Sequence, residues 1–334
     1  MWTVLASCAV AATLGVAAAG SWHAAPSLAQ GRQYLGVGVL NRTLYAMGGS
    51  DQDLYPTTSP FFASVEAWNR PANSWAVIVP NMSVPRFNLG VGVLGGMLFA
   101  VGGAMGQPHA APAPLASVEA FHPANDSWAL VAPMTVDRVG LGVGVLGGLL
   151  YAVGGQNDVG PQGLQVLDSV EVYNPATNTW VGNSFIAPMN FPRHDFGVGV
   201  LGGVLYAVGG ASGHGPYLSS VEAYHAANNS WALVAPMSVD RVGLGVGVLG
   251  GLLYAVGGHD MELNVLSSVE AYDPATNTWT LVAPMSVGRQ DLGVGVLGGK
   301  LYAVGGFNIN SPTPYLASVE AYHPANDSWS ELSE

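Results

Sequence analysis

Charge is what this sequence has least of. Only 9% of its 334 residues are Asp, Glu, Lys or Arg, against about 25% in an ordinary soluble domain. Lysine occurs once, as Lys300. Nine Lys and Arg stand against 21 Asp and Glu, a formal charge of −12. Such a surface repels phosphate, which excludes a general nucleic-acid binder. Cysteine also occurs once, as Cys8. That excludes a disulfide framework and a cysteine-based zinc site. No stretch places apolar residues at a helical period between caps, so no helical domain is expected. The shortage of charge does not mean disorder, because 49% of the residues are apolar and a disordered chain needs the reverse. What is abundant is glycine, 46 residues, about twice the usual share.

Trp2–Ala19 is free of charge and rich in Ala, Val and Leu. Ala17-Ala18-Ala19 before Gly20 fits a small-x-small cleavage site. Residues 1–19 read as a secretory signal peptide or hydrophobic leader, and 20–31 as a linker. The leader has no basic residue, and an Ala-rich segment is weakly apolar beside the roughly 20 residues of a bilayer span. No membrane association is expected apart from this leader. The expected location is the secretory route with a working leader and the cytoplasm without one.

From Arg32 onward one unit recurs six times. Arg-x-x-[Leu/Phe]-Gly-Val-Gly-Val begins at Arg32, Arg86, Arg138, Arg193, Arg241 and Arg289. Each copy continues through Leu to an aromatic-Ala-[Val/Met]-Gly-Gly, then a variable stretch, then Ser-Val-Glu. The glutamates are Glu66, Glu119, Glu171, Glu222, Glu270 and Glu320. A tryptophan closes each copy: Trp75, Trp128, Trp180, Trp231, Trp279 and Trp329. Gly-Val-Gly-Val-Leu alternates with period two and reads as strand A. Leu-Tyr-Ala-Val reads as strand B, Ser-Val-Glu-Ala-Tyr as strand C, and the segment after the tryptophan as strand D. Gly-Gly and Asn-Pro-Ala-Thr-Asn segments supply turns. Units of about fifty residues with four short strands predict a β-propeller.

The unit as a whole resembles the kelch repeat, over residues 32–334. It is most similar to the kelch domains of kelch-like adaptor proteins. The resemblance implies an all-β, six-bladed kelch propeller with four antiparallel strands per blade and strand A nearest the axis. Those adaptors also carry BTB and BACK domains, which the roughly thirty residues ahead of Arg32 cannot hold, so their adaptor role is not carried over. Arg32 opens with strand A and the chain ends in strand D, so each blade is expected from one repeat. The first and last blades would then be joined by side-chain packing alone, a weak point. Some kelch-type propellers are enzymes. The copper oxidases need a Cys-Tyr cofactor and the iron-dependent specifier proteins a Glu-x-x-x-Asp-x-x-x-His string, and neither is present. A sialic-acid mutarotase-like activity has no such local signature.

The once-per-repeat arginines fit structural pairing with the repeat glutamates better than an anion-binding ring. His122, His225 and His323 share one repeat position and fall in alternate blades, which argues against a shared metal. His194-Asp195 and His259-Asp260 are adjacent pairs without a nucleophile assigned to them. No catalytic residue, cofactor or metal site is expected.

Loop parity places the B–C and D–A connections on one face and the A–B and C–D turns on the other. The B–C segments vary most, and variable loops on a rigid frame are the usual place for recognition. The candidate partner-binding residues are Tyr55, Phe62, His109, Asn157, Asp158, His214, Tyr217, His259, Asp260, Phe307, Asn308 and Tyr315. Five Asn-x-Ser/Thr sequons, at Asn41, Asn81, Asn125, Asn228 and Asn326, are candidates for N-glycosylation. The expected function is non-enzymatic binding of a protein or peptide by a monomer. The alternatives are an enzyme acting on a small molecule or carbohydrate at the axial channel mouth, and an actin-associated scaffold.

Overall fold

A computed structural model describes residues 27–52, 61–69, 73–77, 80–106, 113–160, 163–182, 185–213 and 215–331. The leader, most of the linker, Tyr55, His109 and His214 lie outside them. The described residues form six four-stranded antiparallel sheets, one per repeat, in the order A-B-C-D. In the fifth these are Gly245–Leu249, Leu252–Val256, Val269–Asp273 and Thr278–Val282. No α-helix occurs among the described residues. The A–B connections are two-residue turns with both central residues at positive φ, such as Gly250 (61°) and Gly251 (81°). This is the turn whose twist matches a β-hairpin. In the first blade Asn41 (49°) and Arg42 (63°) take the same conformation.

Strand A alternates glycine and valine for a packing reason. A Cβ on Gly245 would stand 2.2 Å from Val294 Cγ2 of the next blade. The first glycine of every strand A receives the valine of its neighbour in this way, and Gly293 of the sixth blade receives Val37 of the first at 2.1 Å. Further out, the strand B aromatic of each blade meets the strand C aromatic of the next. Tyr206–Tyr272 lie 5.7 Å apart, and Tyr302 of the sixth blade meets Trp68 of the first at 5.2 Å. Such offset and tilted pairs contribute beyond the area they bury. At the rim the strand D indole reaches the preceding blade: Trp231 Nε1 donates to Ala187 O at 3.0 Å and Trp279 Nε1 to Ala235 O at 2.9 Å.

The expectation of closure by side chains alone is overturned. Leu28 N donates to Ala317 O (2.9 Å), Arg32 N to Leu316 O (3.1 Å) and Gly306 N to Arg32 O (2.8 Å). These are the same three backbone bonds that Met237, Arg241 and Gly210 make between the fourth and fifth blades. Residues 27–31 supply the segment that each later blade receives from the preceding D–A connection. Leu28 is buried against Trp68, Trp75 and Val319, and Ala29 N donates to Glu66 Oε2 at 2.7 Å. The closure is therefore built like the other interfaces, because the backbone groups involved belong to the stretch before Arg32.

Candidate functional site: the channel mouth and the B–C face

The repeat arginines are buried, 0–1% exposed. In the fifth blade Arg241 Nη1 donates to Gly257 O and Ser268 O, both at 2.9 Å. Its Nη2 donates to Ser268 Oγ at 2.9 Å and to Glu270 Oε1 at 3.0 Å. The other oxygen of Glu270 accepts from Ser238 N at 2.7 Å. All six arginines pair with the glutamate of their own repeat. Their charge is consumed inside the blade, so they do not form a ring open to an anion.

Two residues beyond each arginine the chain takes a left-handed conformation. The six positions are Tyr34, Asn88, Gly140, Asp195, Gly243 and Asp291, with φ from 51° to 65°. Their backbones form a closed ring around the axis. Asn88 N donates to Tyr34 O, Gly140 to Asn88, Asp195 to Gly140, Gly243 to Asp195, Asp291 to Gly243 and Tyr34 to Asp291, each at 2.7–3.0 Å. The left-handed turn aims each N–H along the ring rather than along the strand. Within an otherwise uniform repeat this position varies freely, which was the signal available in the sequence for it.

The side chains of this ring form the rim of a cavity of about 100 Å³, above a layer that includes Leu35, Leu89, Leu141 and Phe196. Asp195 leans across Gly140 to accept from Asn88 Nδ2 at 2.5 Å. A Cβ on Gly140 would lie 2.5 Å from Asp195 Oδ1, so glycine keeps that path open. His194 Nδ1 donates to Asp195 Oδ2 at 2.8 Å. Burial works against a charged His194, but the Asp195 carboxylate outweighs it and raises the imidazole above its ordinary value. Burial likewise opposes ionisation of Asp195, yet His194 and the Asn88 hydrogen bond hold it below the usual range.

Asp291 is the converse case. It is 8% exposed and accepts from Gln290 Nε2 at 2.9 Å. Burial first, and then the charge of Asp195, push its carboxyl up to about 8. The Asp291 carboxyl in turn, with burial, holds the Tyr34 phenol well above its ordinary value. A carboxyl raised in the fold contributes stability that is complete below its unfolded value, about 3.9, and is lost as pH rises through about 8. Chemical denaturation at pH 5, 7 and 9 is expected to show the loss of stability between pH 5 and about 8 shrink in Asp291→Asn, whose amide does not ionise. An unchanged pH profile in that variant would remove Asp291 from the account.

The B–C residues divide by role. Phe62 lies under the Arg32 guanidinium, 4.9 Å from ring centroid to Cζ. Phe307 and Tyr315 pack on each other at 5.4 Å and pair as an isolated bridge. Tyr217 meets His259 edge-on at 5.3 Å, and Asp260 is buried, accepting from Asn264 N and Nδ2. Asn308 Nδ2 donates to Gly288 O at 2.7 Å. Asn157 is half-buried, and Asp158 is exposed and caps Gly160. The predicted residues do not include the large apolar side chains exposed in the described B–C segments: Leu164 (49% exposed), Met261 (59%), Leu263 (67%) and Ile309 (68%). They are apolar residues between turn residues, a pattern that periodicity does not detect. A groove of about 550 Å³ between the third and fourth blades is lined by Val159, Leu164, Val166, Pro192 and His194. His194 thus joins the groove to the mouth. All five sequon asparagines are exposed, and Asn41, Asn125, Asn228 and Asn326 lie in A–B or C–D turns on the other face. Among the described residues no group of three His, Cys, Asp or Glu is placed to hold a metal ion.

Comparison with known proteins agrees with this architecture. The Kelch motif model matches residues 31–82, 85–135, 137–181, 192–238, 240–286 and 288–334. The chain is 41% identical over 117 residues to Kelch-like ECH-associated protein 1B of Danio rerio, covering 35% of this chain and 18% of that protein. It is 43% identical over 103 residues to Kelch-like protein 28 of Homo sapiens, covering 30% and 17%. Influenza virus NS1A-binding protein of Homo sapiens is 45% identical over 89 residues, covering 27% and 13%. These alignments span less than a fifth of each relative's length. The solved structure titled "Structure of YjhT" superposes with a TM-score of 0.73 at 14% identity, covering 91% of this chain and 98% of that one, a likeness of fold. With six matched repeats, six blades and the arginine–glutamate pair in each, the chain belongs to the kelch-repeat β-propeller family.

Proposed function

We propose that this chain is a non-enzymatic binding module that takes a protein or peptide on the face formed by its B–C and D–A connections. One observation carries the reading. Leu263 is 67% exposed and held at φ 64° in a B–C loop. A bulky residue in the left-handed region is uncommon and strained, and nothing in the scaffold calls for a leucine there. Met261, Leu164 and Ile309 project from the same face, each at a position not shared between repeats. The outer-strand Leu130, Leu233 and Leu281 are also exposed, but they recur at one repeat position and belong to the scaffold. Exposed apolar side chains over a rigid frame are the chemistry of a protein interface core. The relative whose name records binding of another protein, Influenza virus NS1A-binding protein, is in keeping with this reading.

The test is a double variant, Met261→Ser with Leu263→Asn, on the full chain. Asparagine suits the left-handed conformation, so the fold is expected to hold. Loss of two apolar contacts is expected to weaken capture of bound partners about tenfold or more. An unchanged partner set at unchanged affinity would take this loop out of the interface.

A second reading, chemistry on a small molecule or carbohydrate, is favoured by the polar groups that converge at the channel mouth. The cavity there, about 100 Å³, is well below the roughly 300–1,000 Å³ of ligand clefts. The groove beside it, about 550 Å³, has the room.

A further inference from the structure

The charge of this protein is unevenly placed. Nine cations and 21 carboxylates are present, and the six buried pairs remove six of each. Three cations remain: Arg42, Arg70 and Lys300. Every one of them falls at an A–B or C–D turn in the chain order. Of the fifteen carboxylates left over, ten fall in B–C or D–A segments. Among these, Asp195 and Asp291 stand at the channel mouth, and Asp158, Asp168 and Glu262 are exposed. Three of the other five, Asp126, Asp273 and Asp327, sit by the C–D turns, and the three cations balance them. In the chain order the B–C and D–A segments therefore hold ten of the fifteen leftover carboxyl groups and no Lys or Arg outside the buried pairs, while the A–B and C–D turns are close to neutral.

The same face presents Leu164, Met261, Leu263 and Ile309. We infer that its partner is a basic protein segment, with Lys or Arg side chains set against the acidic mouth and loops and apolar residues between them set against these four. The inference rests on the reading of this face as a protein-binding surface and names the chemistry of what binds. Charge complementarity carries it. A neutral or acidic segment would bring no cation to offset the acidic residues of this face, and like-charge juxtaposition opposes binding. A scaffold that needed negative charge only for solubility would have no reason to confine it to one face. A basic segment also accounts for the mouth itself. Asp195 and Asp291 stand together there, and a cation seated against them would favour the ionised form of both.

The test is selection of a random peptide library displayed on phage against the full chain, followed by affinity measurement on synthetic copies of the selected peptides. Selected peptides are expected to hold at least about three times as many Lys and Arg as Asp and Glu. Their affinity is expected to fall about tenfold between 50 and 300 mM salt, because screening lengthens no contact but weakens each charge pair. Asp168→Asn with Glu262→Gln, two exposed carboxylates that accept no side-chain hydrogen bond, is expected to weaken binding severalfold. Asp273→Asn, on the other face and the residue type that Asn174 supplies in the third blade, is expected to leave it unchanged. Selection of neutral or acidic peptides, or binding indifferent to salt and to the Asp168 and Glu262 changes, would overturn the inference and leave the protein-binding reading standing. Peptides whose binding is unaffected by the Met261 and Leu263 changes as well would overturn both.

Discussion

Arg241→Ala is expected to cost about 3–5 kcal/mol of stability, the range for removing one partner of a buried ion pair. The reason lies in what stays behind. Glu270 is 1% exposed and would keep a charge with its cationic partner gone. The carbonyls of Gly257 and Ser268 would lose the guanidinium that satisfies them. Burial pulls the guanidinium of Arg241 below its ordinary value, and the charge and hydrogen bond of Glu270 oppose that. Arginine starts so high that it remains a cation regardless. Equilibrium unfolding in denaturant would read the loss. Arg241→Met with Glu270→Leu is expected to recover most of it, since replacing both members of a buried pair by apolar groups is often neutral. A small loss in Arg241→Ala, with no recovery in the pair, would mean that the pair does not hold the blade. Because the pair is buried, the loss is expected to be the same at low and high salt.

The second large effect concerns a glycine at the end of strand B. Gly258 sits at φ 91°, and a Cβ there would lie 2.8 Å from Val242 O and 3.2 Å from Leu244 Cβ. Gly258→Ala therefore combines an unfavourable backbone conformation with a clash against a carbonyl fixed by His259 N. A loss of about 3 kcal/mol or more is expected. Gly250→Ala is the control. Its φ is 61° and a Cβ there meets nothing within 4 Å, so only the backbone term applies, about 1–2 kcal/mol. The difference between the two variants in thermal or chemical unfolding isolates the tertiary clash. Equal losses would show that backbone conformation alone requires glycine at both places.

The two glycines look alike in the sequence, each the first or second of a Gly-Gly doublet, yet their reasons differ. Gly250 serves a hairpin turn, which is local and legible from the doublet itself. Gly258 serves a contact with the D–A segment leading into its own blade, about 15 residues earlier, which only the folded sheet creates. The arginines repeat the lesson. Their period announced a scaffold role and the glutamates were available as partners. What the period could not supply was the pairing within one blade, which depends on strands A and C being brought together at one end of the sheet. The ring of Tyr34, Asn88, Asp195 and Asp291 was the least visible feature. Those four residues are separated by 54 to 107 positions from one to the next, and their meeting follows from six blades converging on an axis. The exposed Leu263 was hidden for another reason. An apolar residue in a loop reads as ordinary drift until the structure shows which way it projects and at what φ.

The sequence by itself determined a six-bladed propeller built from one repeat per blade, the face on which variation collects, and the excess of negative charge. Those follow from period, turn chemistry and composition, all of which are local or additive. Only the tertiary structure decided that the ring closes through backbone bonds from residues 27–32, that six arginines are neutralised inside the blades, and that their glutamates are thereby withdrawn from the surface charge. These depend on distances between residues far apart in the chain. Near-identical repeats carry little information about such distances, because each copy describes a blade and none describes the circle they make.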